Sequence, residues 1–150
     1  MPFVLTSDQK GALAESAIVH AAARLGIGVS KPLAGGARYD LIFDLGPRLL
    51  RVQCKWATRR DEVVLVRCHS SRRTRDGFAR RTYSGEEIDA VAAYCAELER
   101  CYLLPLEVFG GRTYVQLRLA PCRNNQKAGV HWADSFDLGC LDFEGAFSGP

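Results

Sequence analysis

The chain has 150 residues, of which 47% are hydrophobic and 25% are charged, and its formal net charge is +3. This length and balance favour one folded domain over residues 1–150 and argue against a disordered or fibrous chain. No apolar run approaches the roughly 20 residues that span a bilayer, and the first residues lack the basic start and apolar stretch of a secretory signal. We therefore expect a cytoplasmic protein with no membrane partner.

The chain begins with a predicted helix. Thr6 and Gln9 have the spacing of a capping box, and an apolar stripe continues to Leu25, before Gly26. Within this apolar helix Glu15 stands out, because an unpaired buried carboxylate is costly. A short strand over residues 28–33 and a glycine-rich turn are expected next.

A β-hairpin follows, with its turn at Gly46 and Pro47. With the turn centred between these two residues, Asp40 lies opposite Gln53, and alternation places Gln53 and Lys55 on one face of the sheet. The carboxylate of Asp40, the amide oxygen of Gln53 and the ammonium of Lys55 then lie close together on one face of the sheet. The opposite face of these strands is apolar. This arrangement suits a hard metal ion that acts on a phosphate. The predicted strands cover residues 39–43 and 51–56.

The positive charge is concentrated after the next strand, which is predicted over residues 62–68. Residues 67–81 contain six arginines and one acid, so this stretch carries +5 in a chain with a net charge of +3. It shows neither helical nor strand periodicity and is predicted to be a loop. Local positive charge is what a phosphate-binding surface requires. Its arginines are Arg67, Arg72, Arg73, Arg75, Arg80 and Arg81.

Helical and extended patterns alternate in the second half of the chain. The predictions are a helix over 84–98, strands over 102–108 and 113–119 joined at Gly110 and Gly111, and a short helix over 132–136. Pro105 indicates an edge strand or a strand start, and Asp89 is a candidate partner for an arginine or a tyrosine hydroxyl. The fold class is mixed α/β, with an ordered core over about 6–136 and a looser C-terminal tail.

The six cysteines form no C-x-x-C pair. In a reducing cytosol we interpret them as buried free thiols. Zinc binding by cysteines together with His69 or His131 is the alternative.

Several of these residues together resemble the PD-(D/E)XK nucleases, and most closely the homing endonucleases associated with group I introns, in which glutamine replaces the second acid. The resemblance spans about residues 8–136, although Arg38 and Tyr39 precede the aspartate where the family name has proline. It implies a restriction-endonuclease-like fold, in which helices flank a mixed central sheet. The stretches that carry it are Lys10-Gly11 with Glu15, Asp40, Gln53-Cys54-Lys55, Gly85-Glu86-Glu87-Ile88-Asp89 with Tyr94, Tyr102 to Pro105 with Glu107, and Asn124-Asn125-Gln126 followed by Trp132-Ala133.

The resemblance implies metal-assisted phosphodiester hydrolysis with Mg²⁺ as the cofactor and Mn²⁺ as an alternative. Asp40 is then the principal metal ligand, aided by Gln53, by the backbone carbonyl of Cys54 and by Glu15, directly or through water. Lys55 stabilises the charge that develops on the phosphate. The catalytic candidates are thus Glu15, Asp40, Gln53 and Lys55.

Double-stranded DNA is the expected partner, bound by a homo-oligomer, because one chain of this size cannot cover a long site on both strands. Three other readings stay open: a junction resolvase that selects branched DNA, a nuclease that cuts transfer RNA, and a nucleic-acid-binding module that does not cleave. The candidate DNA contacts are the six arginines named above, Lys10 and Arg38 beside the site, and Asn124, Asn125 and Gln126, whose amides can read base edges.

Glutamine at position 53 leads to a prediction about metal dependence. With two carboxylates and no third, the pocket attracts a divalent ion weakly, so we expect the scissile phosphate to complete the site. Gln53→Glu should therefore lower the Mg²⁺ concentration that gives half-maximal cleavage, which a metal titration measures. An unchanged Mg²⁺ dependence would contradict this idea.

Overall fold

In the computed structural model, which describes residues 3–148, a long N-terminal helix packs on a branched β-sheet. A separate two-stranded hairpin projects from this sheet. The elements in chain order are α1 (Ser7–Arg24), β1 (Gly28–Ser30), β2 (Leu41–Asp44), β3 (Leu49–Arg60), β4 (Val63–Arg67), β5 (His69–Thr74), β6 (Gly77–Thr82), β7 (Ala90–Cys95), β8 (Arg100–Pro105), α2 (Leu106–Phe109), β9 (Tyr114–Arg118), β10 (His131–Trp132), a 3₁₀ helix (Ala133–Phe136) and α3 (Phe143–Phe147).

The capping box predicted at the start of α1 is confirmed. The Thr6 hydroxyl accepts a hydrogen bond from the Gln9 N–H at 3.2 Å, and the Thr6 N–H donates to the Gln9 side chain at 2.9 Å. The helix ends at Arg24, and Gly26 follows with φ +80°, a conformation that glycine adopts without strain. The sequence thus fixes both ends of α1 locally.

Strand β3 is the centre of the sheet. Its first residues pair antiparallel with β2, in the predicted register that joins Leu41 to Val52. Residues 52–57 of β3 pair in parallel with β7, and residues 58–60 pair antiparallel with β4. One twelve-residue strand therefore connects two parts of the sheet, β1-β2-β3-β7-β8 and β3-β4-β9-β10.

Hydrophobic clusters cover both faces of this sheet. On one face α1 packs through Ile18 and Ala22 on Val52, Ala90 and Ala92, while the opposite face is covered by a second cluster. A strand buried on both faces has no polar side to alternate with, so its sequence is continuously apolar. The second cluster contains Val64 and Val66 of β4, Val115 and Leu117 of β9, Val91 and Ala93 of β7, Tyr83, and Phe109 of α2.

The helix predicted over 84–98 is wrong. Residues 85–87 form a turn, and Ala90–Cys95 is the parallel strand β7, in which five of the six residues are buried. The alanines favour a helix in isolation, but burial between β3 and β8 decides the structure. The continuous apolar run of six residues is the signal that predicts a buried strand here.

The prediction that strands 102–108 and 113–119 form a hairpin is also wrong. β8 ends at Pro105 and pairs with β7, the chain turns through the short helix α2, and β9 pairs with β4. The edge position that Pro105 indicated is confirmed, because β7 is the one strand of the described chain that pairs with β8. Local turn chemistry at Gly110 and Gly111 thus does not determine which strands become neighbours.

The arginine-rich stretch, predicted to be a loop, is mostly a hairpin. β5 and β6 pair antiparallel from His69 opposite Thr82 to Thr74 opposite Gly77. Gly77 has φ +120°, which glycine tolerates in this tight turn. Because the hairpin covers no core, it lacks the apolar alternation by which strands are predicted.

The C-terminal segment is ordered beyond residue 136. α3 is capped by Asp142, whose carboxylate accepts from the Gly145 N–H at 3.1 Å, and Phe147 is 8% exposed against the α1-side core. Phe147, which the sequence analysis placed in a looser tail after residue 136, thus packs on the core, and Gly149 and Pro150 lie outside the described residues. The short helix predicted over 132–136 is present as the 3₁₀ helix.

All six cysteines are free. Within residues 3–148 no group of three or more His, Cys, Asp and Glu side chains lies close enough to hold a metal ion, which leaves the zinc alternative without a ligand set there. Among the described helices, none combines the length and the hydropathy of a membrane-spanning segment.

An ion pair anchors the turn before β7 to β3. Asp89 accepts hydrogen bonds from the Arg51 backbone N–H at 2.8 Å and from the Arg51 Nε at 3.1 Å, while Arg51 also donates to the carbonyls of Gly85 and Glu86. The arginine partner expected for Asp89 is thus confirmed. Burial alone would raise the pKa of Asp89, but the hydrogen bonds from Arg51 outweigh it and lower the pKa.

Asp89→Asn should lower the free energy of unfolding at pH 7 by about 1–3 kcal/mol, because charge-assisted hydrogen bonds are lost. A carboxylate with a lowered pKa stabilises the fold above its unfolded-state pKa and loses this effect as the pH falls through the folded value. The difference between wild type and variant should therefore shrink below about pH 4. Urea denaturation at several pH values measures it, with the exposed Asp76→Asn as control. A difference that stays constant with pH would contradict this assignment.

Candidate active site

The site is built where β2 separates from β3. Asp40 lies in a bend just before β2, and its N–H donates to the Val52 carbonyl at 2.8 Å. Its carboxylate accepts from the Cys54 N–H at 2.9 Å. The predicted register holds over Leu41–Asp44, but the Asp40 carboxylate binds the backbone of Cys54 instead of the side chain opposite. The acid thus takes the place of a strand carbonyl at the edge of β3.

This contact places backbone oxygen beside the acid. In an extended strand the N–H and C=O of one residue face the same edge, so the Cys54 carbonyl also faces the side where Asp40 lies. The adjoining Gln53 side chain is half-buried. A carboxylate, a backbone carbonyl and an amide are therefore grouped along one short segment of β3.

The surroundings of Asp40 make its negative charge costly. Burial raises the pKa of the Asp40 carboxyl, the Cys54 N–H lowers it, and the negative charge of Glu15 raises it further, so the net pKa lies above its ordinary value. Lys55 and Lys31 counteract this shift only in part. A bound divalent cation would relieve the repulsion between the two carboxylates, since hard cations prefer oxygen ligands.

Glu15 reaches this region from α1. It is half-buried and forms an ion pair with Lys31, whose side chain is 63% exposed. The hydrogen bond and charge of Glu15 raise the pKa of Lys31. Because an exposed ion pair contributes little to stability, Lys31 holds Glu15 only weakly and leaves the carboxylate available to another cation.

The Lys55 side chain lies on the face of the sheet opposite to the one that α1 covers. Its Nζ donates to the His69 carbonyl at 3.0 Å and lies 5.2 Å from the centre of the Tyr83 ring. Burial lowers the pKa of Lys55. Side chains on successive residues of β3 alternate, so α1 covers the face of Cys54 while Lys55 points to the other face. By the same alternation Gln53 shares the face of Lys55, while Glu15 comes from the face that α1 covers, so the candidate groups meet at the edge of β3.

The donor set suits a hard cation. Asp40 and Glu15 supply carboxylates, Gln53 an amide oxygen and Cys54 a backbone carbonyl, and no thiolate or imidazole is needed. Mg²⁺ binds one or two carboxylates and retains waters, which agrees with a site that has few protein ligands. The residues thus fit a hard divalent cation.

A basic cleft of about 430 Å³ adjoins Lys55. Four cationic side chains line it and no carboxylate does. Arg60 and Tyr114 were missed by the sequence analysis. Alternation from Thr58 along β3 could have placed Arg60 on this side, whereas Tyr114 lies opposite Arg67 only because β9 pairs with β4, which the sequence did not predict. The lining consists of Ser7, Lys10, Gly11, Cys54, Lys55, Trp56, Thr58, Arg60, Leu65, Arg67 and Tyr114.

Comparison with known proteins explains this arrangement. A model of the PD-(D/E)XK endonuclease family matches residues 5–139, nearly the whole chain. The chain belongs to the PD-(D/E)XK endonuclease family. This membership makes it a nuclease, in a family whose members generally use divalent metals.

The fold agrees with the family. The structure of a bacterial homing endonuclease, I-Ssp6803I, superimposes with a TM-score of 0.75 and 27% sequence identity, covering 97% of this chain and 100% of that one. The restriction-endonuclease-like mixed α/β fold is thereby confirmed. No curated protein sequence matches the chain.

The Arg38 side chain, which was predicted to contact DNA, instead binds other residues of the protein. Its Nη1 donates to the Ser70 hydroxyl at 2.8 Å, and its Nη2 donates to the Thr82 carbonyl at 3.1 Å. Its Nε pairs with Glu87 at 2.7 Å, and the guanidinium lies 4.3 Å from the centre of the Tyr83 ring. Arg38 thus fastens the base of the β5–β6 hairpin, and we no longer count it among the DNA contacts.

The other predicted DNA contacts are exposed or line the clefts. Gln126 and its neighbours form an exposed turn, in which the Gln126 N–H donates to Asn124 at 3.1 Å and Asn125 has φ +58°. Gln126 and Tyr114 line a common cleft. Arg81 pairs with Glu87 at 2.9 Å but keeps 68% of its side chain exposed. The exposed arginines are Arg67, Arg72, Arg73, Arg75, Arg80 and Arg81.

Arg38→Gln should lower the free energy of unfolding by about 1–3 kcal/mol. The change removes charge-assisted hydrogen bonds and leaves the negative charge of Glu87 less well neutralised. Arg72→Gln, on the exposed hairpin, is the matched control and should change it by no more than about 0.5 kcal/mol. Urea denaturation compares the two variants. If Arg38→Gln unfolds like wild type but weakens DNA binding, the fastening role is wrong.

Proposed function

We propose that this chain is a Mg²⁺-dependent DNA endonuclease that hydrolyses phosphodiester bonds in the manner of a homing endonuclease. The observation that carries the proposal is the position of Asp40 at the edge of β3. Glu15 acts on it from one side and Lys55 from the other, and a cleft lined by cations lies alongside. Family membership and the likeness to a homing endonuclease support the same class of reaction.

The ligands proposed for Mg²⁺ are Asp40, the Cys54 carbonyl, Gln53 and Glu15, with Mn²⁺ as a substitute of similar ligand preference. When bound, such an ion lowers the pKa of a water molecule and polarises the phosphate. Asp40 fixes its ligand oxygen through the bond from the Cys54 N–H, so the protein presents this oxygen in a set position. To bind the metal ion, Glu15 must give up its ion pair with Lys31. Otherwise it keeps this ion pair and acts on the site through Lys31.

Lys55 supplies positive charge next to the reacting phosphate. Its partner in the protein is a neutral carbonyl, and within the described residues it forms no ion pair with a carboxylate. The charge is thus not cancelled locally and can stabilise the negative charge that grows on the phosphate oxygens in the transition state. The His69 carbonyl and the Tyr83 ring hold the ammonium in place before the substrate arrives.

The cleft fits the sugar-phosphate backbone of duplex DNA. Lys10, Arg60 and Arg67 line it beside Lys55, and cations in such positions bind phosphates regardless of base sequence. One chain has one such site, so cutting both strands requires two chains. We therefore propose a homo-oligomer.

The direct test incubates the purified protein with Mg²⁺ and with supercoiled plasmid, linear duplex, a four-way junction or transfer RNA, each with and without a chelator. Cutting of linear duplex at a preferred sequence that the chelator abolishes supports the proposal. Preference for the junction or for transfer RNA would replace it with the corresponding alternative. Chelator-insensitive binding without any cut would make the chain a binding module.

Substitution of the site residues separates cleavage from binding. Asp40→Asn and Lys55→Met should each lower the cleavage rate by about a hundredfold or more, because each removes charge needed in the transition state. DNA affinity measured without divalent metal should change by less than about tenfold. Asp61→Asn and Lys127→Met, both exposed and outside the cleft, are the matched controls. Equal losses in the controls, or full activity in the site variants, would refute the assignment.

A further inference from the structure

The β5–β6 hairpin is an arm without a core. Residues 71–80 are exposed throughout, and within the described chain this two-stranded sheet pairs with no other strand. A two-stranded ribbon is at best marginally stable in water by itself. An arm of this kind gains a stabilising surface when a partner covers it.

The base of the arm is firmly held. Arg38 donates to both of its strands, at Ser70 and at Thr82. The His69 ring is buried, its Nδ1 lies 2.9 Å from the Thr113 carbonyl, and it meets the Tyr114 ring edge to face at 5.2 Å. The direction of the arm is therefore set by the main sheet.

The two faces of the arm differ. Residues directly opposite each other in an antiparallel pair share a face, and Arg73 is opposite Phe78 while Arg80 is opposite Ser71. The face with Arg73, Phe78 and Arg80 is the one on which His69 turns toward Tyr114, and we call it the cleft face. Arg72 and Arg81 lie on the outer face, where Glu87 already pairs with Arg81.

The cleft face is continuous with the basic cleft. A second cleft of about 270 Å³ is lined by Arg67, His69, Ser71, Phe78, Arg80 and Tyr114. Arg67 and Tyr114 also line the cleft that contains Lys55. A single basic path thus leads from Lys55 past Arg67 and Tyr114 to Phe78.

We propose that the β5–β6 hairpin enters the major groove of the DNA duplex bound in the basic cleft, with Arg73, Phe78 and Arg80 facing the bases. This inference rests on the proposed DNA endonuclease function. The major groove, about 12 Å wide and 8.5 Å deep, admits a two-stranded β-ribbon. The exposed part of β5 from Ser71 to Thr74 is about 13 Å long, enough to reach the groove floor. The surplus of arginine on the arm matches the charge of the polyanion.

Phe78 gives the arm an apolar contact. Its side chain is 75% exposed, which exposes a large aromatic surface to water. Between two arginines, such a ring can pack on a thymine methyl group at the groove floor while the guanidinium groups bind guanine edges or phosphates. The arm therefore contributes to the selection of the sequence near the cut.

The test compares variants of the two faces in binding to a duplex that the wild type cuts, without divalent metal and over a series of salt concentrations. Phe78→Ala should weaken binding about tenfold at every salt concentration without changing the slope of log Kd against log salt, since no charge is lost. Arg73→Gln and Arg80→Gln should weaken binding about tenfold or more. Arg72 lies opposite Ala79 on the outer face, so the inference removes it from the DNA contacts; Arg72→Gln is therefore the matched control and should change binding less than threefold.

Two results would overturn the inference: Arg72→Gln as harmful as Arg80→Gln, or Phe78→Ala and Arg80→Gln both binding like wild type. A second measurement uses only the wild type. Methylation of guanine N7, in the major groove, should interfere with binding within about ten base pairs of the cut. Interference confined to adenine N3, in the minor groove, would also overturn it.

These outcomes are separate from failure of the proposed function. If the wild type cuts duplex DNA but the hairpin variants bind normally, the hairpin inference alone is wrong. If the wild type neither binds nor cuts any duplex, both proposals are wrong.

Discussion

The pairing of β3 with three different strands is the constraint on which the rest of the structure depends. β2 accompanies β3 only as far as Val52, β7 pairs with residues 52–57, and β4 takes over from residue 58. Where β2 departs, backbone groups of β3 would be left without partners, which is costly inside a protein. Asp40 satisfies one of them by accepting from the Cys54 N–H. The hydrogen bond that completes the sheet is thus the same bond that fixes the principal acid of the site.

Because the site lies at a strand edge, it draws residues from both faces of the sheet. Glu15 comes with α1 from one face, and Lys55 comes from the face that carries Tyr83. Lys55 forms no ion pair with Asp40 within the described residues, and burial together with the like charge of Glu15 raises the pKa of the acid. This balance leaves both groups, the carboxyl of Asp40 and the ammonium of Lys55, with a charge that is costly to bury. The former suits a cation and the latter a phosphate.

The hairpin and Lys55, the lysine proposed to act in catalysis, are coupled by their geometry. His69 begins β5, and its carbonyl accepts from the Lys55 ammonium at 3.0 Å. Arg38 immediately precedes Tyr39 and Asp40 in the chain and fastens the other end of the hairpin base. The β5–β6 hairpin, which covers no core, is therefore attached to the site at two points.

The sequence by itself determined α1 with its cap, the hairpin register and the edge role of Pro105, and it indicated Glu15, Asp40, Gln53 and Lys55 as the candidate group. These depend on contacts between residues that are close in the chain, or on a resemblance carried by spaced motifs. Only the tertiary structure decided that Ala90–Cys95 is a strand, that β9 pairs with β4, and that Arg38 binds the protein. In each case the deciding partner lies far along the chain. Burial and long-range pairing outweigh local propensity there, because a buried backbone must find its hydrogen bonds wherever the fold supplies them.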